Sequence, residues 1–146
     1  MMKKYFLLLF AVLICLSISP LNAQNMKVKI TINNKEFTAT LNDSEADKEF
    51  IKLLPMEVNM GEHNGNEKYY NLPNKIPGRA INPGSVKTGD LMIWSSSTLV
   101  LFYAGSRTSY SYISVGKIDN TSGLREAVGK GNVKVKFELV KEENNQ

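Results

Sequence analysis

His63 stands among Glu57, Glu62 and Glu67, and an imidazole near three carboxylates is a donor set that could ligate a metal ion. It is the chain's only histidine, however, and no paired spacing such as H-x-x-x-H surrounds it. Its Gly- and Asn-rich setting, "GEHNGN", describes a solvated loop instead. Ser95-Ser96-Ser97 offers hydroxyls, but without a G-x-S-x-G elbow or a second histidine to act as base they read as turn residues that satisfy free backbone groups. "GKGNVK", from Gly129 to Lys134, has too few glycines, in the wrong order, for a phosphate loop. These motifs call for no metal and no cofactor.

Aromatic residues remain. Tyr69, Tyr70, Trp94, Tyr103, Tyr110 and Tyr112 offer large apolar area with a polar handle, the kind of surface that lines small-molecule and peptide pockets. The same side chains could equally fill a core. The sharpest concentration is "GDLMIWSSSTLVLFYAG", residues 89 to 105, which holds the only Trp and the Phe102-Tyr103 pair in two apolar bursts around the serines. Trp94 ends one burst beside a polar turn, a position where a ring is often half exposed.

The elements that must position these residues follow from periodicity. "MKVKITINNKEFTATL" alternates apolar and polar residues on both sides of Asn33-Asn34, which predicts a β-hairpin with one buried face. "DSEADKEFIKLLP" changes period: Ser44 with Asp47 resembles a capping box, Ala46, Phe50, Leu53 and Leu54 form a helical stripe, and Pro55 ends it. "MEVNM" is a short strand. Residues 61 to 90 then carry five Gly and three of the five Pro, so they form a long excursion with one or two short strands, the kind of segment on which binding residues sit. "LMIW" and "TLVLFYA" predict a second hairpin buried on both faces, with Ser95 to Ser97 as its turn. "YSYISVGKI" alternates again, "NTSGLREAVGKG" predicts a short capped helix with Leu124 and Val128 inward, and "NVKVKFELV" is a closing strand. Asp90 caps a turn at a strand entry. Such short connections require a largely antiparallel sheet, and this order of elements fits a closed barrel capped by two helices.

The N-terminus reads as an address. Lys3 and Lys4 precede the apolar run "YFLLLFAVLICLSIS", Pro20 breaks it, and Ala23 precedes a plausible cleavage point, so residues 1 to 23 are expected to be a signal peptide, with Gln24 beginning a secreted or periplasmic protein. A retained anchor would need about 20 apolar residues, and lipidation would use Cys15, which follows Ile14 rather than a small residue. Cys15 is the only cysteine, so the mature domain would hold no disulfide, thiolate metal site or cysteine nucleophile. Without Lys3 and Lys4, the 18 basic residues become 16 against 14 acidic ones, a net charge of about +2 with no basic stripe for nucleic acid. One domain is expected, with a polar tail from residue 141 to 146.

The order of these elements, with "GDLMIW", "LVLFYAG" and "SVGKIDNTSGLREAVGKGNVKVKFEL", resembles the bacterial cyclophilin-like fold family over Met26 to Val140. The resemblance implies a mainly β fold, an eight-stranded antiparallel-rich barrel with a helix at each end and a groove on one face. Cyclophilins proper set an Arg and apolar side chains around a proline, lowering an isomerisation barrier of about 18–20 kcal/mol without a cofactor. Their F-H-R-x-x-P-G run has its nearest counterpart here in "NKIPGR", with Asn74 at the Arg position and Arg79 just beyond. Tyr110 and Tyr112 lie near the positions of their Trp and His, and Phe102 falls where a cyclophilin keeps a pocket Phe. With the catalytic set largely absent, the aromatic residues predict a binding domain that holds a small molecule or an extended peptide, including a proline-containing one, with Tyr69, Tyr70, Trp94, Phe102, Tyr110 and Tyr112 lining the groove. A diverged isomerase would draw its guanidinium from Arg79 or Arg107.

Overall fold

The structure is a computed structural model that describes residues 26–141. The expected signal peptide, with Cys15, and residues 142–146 of the expected tail lie outside the described residues.

The chain opens with β1 (Lys27–Ile32) and β2 (Lys35–Leu41), which pair antiparallel. Asn33 and Asn34 join them, both at positive φ (47° and 66°), as a two-residue turn matched to strand twist requires. Helix α1 (Glu45–Ile51) starts from a complete capping box: Ser44 accepts from the Asp47 backbone N–H at 3.2 Å, and Asp47 accepts from the Ser44 N–H at 3.2 Å. Its Ala46 and Phe50 are buried. Then come β3 (Met56–His63), β4 (Glu67–Asn71) and the short β5 (Ser85–Val86), within the Gly- and Pro-rich excursion. The second hairpin is β6 (Asp90–Trp94) and β7 (Thr98–Phe102), turned by Ser95 and Ser96 at positive φ. Asp90 accepts from the Lys87 backbone N–H at 2.8 Å, closing the turn at the strand entry. Short β8 (Ser106–Arg107), β9 (Tyr112–Ile118), α2 (Leu124–Val128) and β10 (Val133–Leu139) complete the order. Helix α2 buries Leu124 and Val128, but no side chain caps it; its N-cap is Gly123 at positive φ.

Eight strands close into an antiparallel barrel in the order β1-β10-β3-β4-β7-β6-β9-β2, with β5 and β8 in a separate two-stranded sheet. Two details tighten the closure. The β6–β9 register shifts between Leu91 and Met92, which leaves Val115 as an extra residue in β9. Opposite Leu41, Gly116 lets β2 approach so closely that a Cβ there would collide with the Thr40 carbonyl.

Inward residues of every barrel strand join Phe50, Leu124 and Val128 in one core. Phe50 meets Phe137 edge-on at 6.0 Å. A smaller apolar cluster of Val86, Met92, Val100, Phe102 and Tyr112 sits apart from it. Met92, Val100 and Phe102 alternate with the inward Leu91, Ile93, Leu99 and Leu101, so they lie on the outer face of the same strands, where Val86 of β5 and Tyr112 of β9 join them. That is why the second hairpin is apolar on both faces: the excursion covers its outside.

Two inward positions are charged, Lys68 on β4 and Glu62 directly across from it on β3. Lys68 of β4 is fully buried, and its ammonium lies 2.7 Å from the Glu62 carboxylate and donates to the carbonyls of Gly129 (3.0 Å) and Gly131 (2.6 Å). Tyr103 donates its hydroxyl to Glu62 at 2.6 Å, and its ring lies 5.3 Å from the ammonium. Lys68 thus ties β4 to β3 and to the turn that leads into β10. Burial alone would raise the Glu62 pKa, but Lys68 and Tyr103 together hold it below the usual carboxylate range. Burial and the Glu62 carboxylate push the Tyr103 phenol up to about 12.

Lys68→Ala is expected to lower stability by roughly 3 kcal/mol, the low end for breaking a buried pair because Glu62 keeps some solvent contact; urea denaturation would show an unchanged midpoint if the tie were dispensable. Tyr103 adds a pH signature. Its folded pKa lies above the unfolded value of about 10, so its contribution is complete below pH 10 and is lost as pH rises toward about 12. Denaturation midpoints across that window should fall less steeply in Tyr103→Phe.

Candidate functional site

Val100, Phe102 and Tyr112 of the outer-face cluster form the floor of a cavity of about 460 Å³. Its geometry follows from strand alternation. Residues of β4 point alternately into the barrel, at Lys68, and out of it, at Glu67, Tyr69 and Asn71. Across the β4–β7 ladder these three face Phe102, Val100 and Thr98, and all six line the cavity. Trp94 faces Thr98 on one side and Tyr112 on the other, and both neighbours also line it.

The opposite wall is the chain around β8. Arg107, Thr108, Ser109 and Tyr110 line the cavity and are held by short polar links to the excursion. The Thr108 N–H donates to the Gly84 carbonyl (3.1 Å), and Asn82 donates its amide to the Ser109 carbonyl (3.2 Å). Tyr112 is pinned by a reciprocal backbone pair with Ile81, both bonds 2.9 Å, and packs edge-on against Phe102 at 5.7 Å. Trp94 and Tyr110 meet edge-on at 6.0 Å, with 42% and 60% of their surfaces exposed, so they form an open lip over a buried floor. Tyr69 lies across Gly61 of β3, where a Cβ would come within 2.9 Å of the ring. Gly61 therefore sets how far that ring can lean away from the cavity.

Of the six aromatic residues singled out from the sequence, five line this cavity: Tyr69, Trp94, Phe102, Tyr110 and Tyr112. Tyr70 does not. One position along β4 from Tyr69, it faces the other way and packs against the interior core. Arg107 lines the cavity, whereas Arg79 lines a second cavity of about 380 Å³ with Ser44, Ile81 and Ile113. Tyr112 borders both cavities. His63 lies at the end of β3 and lines the first cavity, edge-on to Tyr69 at 6.4 Å. Among the described residues no group of three or more His, Cys, Asp or Glu side chains is arranged to hold a metal ion.

Sequence reasoning missed the polar half of this wall. Asn66 is buried, donates its side-chain amide N–H to Ser106 at 3.0 Å, and leaves its side-chain amide oxygen, Oδ1, without a donor. Glu67 is partly buried and takes part in no ion pair among the described residues. Burial raises its pKa, nearby Glu62 adds to the rise, and His63 offsets part of it. The signal was present in the alternation of β4, which puts Glu67 on the same face as Tyr69.

A raised carboxyl pKa means that folding favours the protonated form, so the stability this gives is present below the unfolded pKa and lost as pH rises through the folded one. At pH 7 the ionised Glu67 is therefore a cost to the fold. Glu67→Gln is expected to unfold at the same or a higher temperature than the parent at pH 7, with any advantage vanishing near pH 4. A lower melting temperature at pH 7 would show that the carboxylate is structural.

The solution structure of a hypothetical protein from Archaeoglobus fulgidus is similar to this chain, with a TM-score of 0.63 at 18% identity, covering 84% of this chain and all of the other. That level of identity speaks to the fold alone. A comparison with curated proteins found no match. The model of the cyclophilin-like family matches residues 30–138, from β1 through β10 and so across the whole barrel and the cavity on its outer face, and the chain belongs to that family.

Proposed function

We propose that this protein is a secreted or periplasmic binding domain that holds a small molecule or an extended peptide in the cavity on the outer face of its barrel. The observation that carries this reading is the convergence of five aromatic residues, from four separate segments of the chain, on one cavity of about 460 Å³ with a buried apolar floor and a polar wall. A volume in the range of ordinary ligand sites, lined by apolar rings with a few fixed polar groups, is what small-molecule recognition requires. Nothing in such a site has to react: the rings supply contact area, while Asn71, Thr98 and Thr108 supply directional bonds. The N-terminal address supports an exported protein, and the mass of the mature chain from its native host should begin at Gln24 if it is cleaved as expected.

A second reading, a diverged peptidyl-prolyl isomerase, is supported by Arg107, which lines the same cavity as Phe102. Arg79 gives it less support, because it lines the other cavity. An isomerase would use a guanidinium to stabilise the twisted amide over the planar one.

Trp94 is the chain's only tryptophan and lies at the cavity lip, so its emission reports occupancy directly. A screen of small molecules and proline-containing peptides is expected to find ligands that shift this emission, and Tyr110→Ala is expected to weaken them about tenfold by removing one aromatic contact. In a proline-switch peptide assay the protein is expected to give no acceleration. Acceleration that disappears in Arg107→Ala would replace the binding reading with the catalytic one.

A further inference from the structure

The charges around the cavity say what kind of ligand it selects. Glu67 opens β4 directly across from Phe102, with Tyr69 two residues along the same face and Tyr112 beside Phe102. Its carboxylate has no cationic partner among the described residues, although a fully buried ammonium, that of Lys68, sits on the next residue. Alternation keeps the two apart: Lys68 points into the barrel and spends its charge on Glu62, while Glu67 points out. Arg107 on the cavity wall is exposed and pairs with no carboxylate, and His63, directly across from Glu67 on β3 and lining the same cavity, makes no ion pair with it. The adjacent Asn66 lines the same cavity, and its buried side-chain amide oxygen lacks a donor. One end of the cavity therefore combines a carboxylate without an ion pair, an unfilled side-chain acceptor and the rings of Tyr69, Phe102 and Tyr112.

We infer that the cavity selects ligands bearing an alkylammonium group, seated against Glu67 and Asn66 with its carbon chain among Tyr69, Phe102 and Tyr112. An ammonium satisfies all three features together. It pairs with the carboxylate, it donates to the free amide oxygen, and its positive charge is attracted to ring faces, an attraction that grows as water is excluded. An anionic ligand would meet Glu67 as a like charge, and a neutral one would leave that carboxylate desolvated and unpaired. The destabilising character of Glu67 in the free protein fits the same assignment, since a carboxylate kept at a cost to the fold is relieved when a cation arrives. This inference rests on the cavity being a binding site and adds the charge of its occupant. The ammonium can belong to a free amine or to a lysine side chain of a peptide, since the cavity meets the same group in either.

The test uses three probes of matched size and shape, n-butylammonium, n-butanol and n-butyrate, each titrated at pH 7.5 into the mature protein and followed by Trp94 emission and two-dimensional amide NMR. The expected result is saturable shifts with n-butylammonium, at least tenfold weaker binding of n-butanol and n-butyrate, and at least tenfold loss of n-butylammonium affinity in Glu67→Gln. Glu67→Gln removes the charge while keeping the shape, and its melting temperature shows that it remains folded. A blocked tripeptide centred on lysine binding more tightly than n-butylammonium would assign the group to a peptide, and weaker binding would assign it to a free amine; both support the inference. Equal binding of n-butanol and n-butylammonium, or unchanged affinity in Glu67→Gln, overturns the charge assignment and leaves the cavity a binding site. Preference for n-butyrate that is lost in Arg107→Met overturns it in favour of an anion. Failure of every probe to perturb any cavity residue overturns the binding reading together with this one.

Discussion

A charged amine with no access to solvent is the constraint around which the rest of this fold is arranged. Lys68 enters the barrel on a strand that otherwise belongs to the core wall, and an ammonium there is tolerable only if every one of its protons is met. The structure meets them with the carboxylate of Glu62 on β3 and the carbonyls of Gly129 and Gly131 ahead of β10. These partners lie far apart in sequence, so satisfying Lys68 requires that β3, β4 and the α2–β10 turn be in place together. The same bonds fix the rotation of β4. Once Lys68 faces inward, Glu67 and Tyr69 face outward, and the character of the outer cavity follows.

The barrel is thus two-sided in a way that a simple alternating sheet is not. On β1, β2 and β10 the inward residues are buried while the outward ones, including Lys29, Glu36 and Lys136, meet solvent and one another in weak surface pairs. On β6 and β7 both faces are buried, because the excursion that carries β5 returns over their outside and is tied to the β8 region. The cover is incomplete. Where it stops short, between Tyr69 on one side and Tyr110 on the other, Val100, Phe102 and Tyr112 remain open as the floor of the cavity.

Most of the scaffold was legible in the sequence, because it is written in local patterns. Asn33-Asn34, the Ser44–Asp47 box and the tri-serine turn each specify their geometry through residues that are adjacent or one helical turn apart. The double burial of the second hairpin was legible as continuous apolar runs. The site was legible in part: side-chain type identifies Trp94, Phe102, Tyr110 and Tyr112 as candidates, but only strand direction separates Tyr69, in the cavity, from Tyr70, in the core. Composition cannot distinguish Arg79 from Arg107, since their separation into two cavities depends on how the long excursion folds back. Lys68 was invisible for the opposite reason. A lysine in a polar run reads as solvated, and only the convergence of three distant partners makes its burial possible.

Closure of the eight main strands also decides how a guest can be recognised. A ring of strands in which each has two neighbours offers no free edge for a guest to extend, so an extended peptide cannot be read there through main-chain pairing, the most sequence-tolerant mode of peptide capture. Main-chain pairing is left to the short β5–β8 sheet, and against the barrel strands themselves a guest on the outer face is read by side chains. Those side chains stand on positions whose backbone is fixed from within, so their identities can change without the scaffold's having to follow, and a single frame of this kind can be retuned from one guest to another by a few outward substitutions.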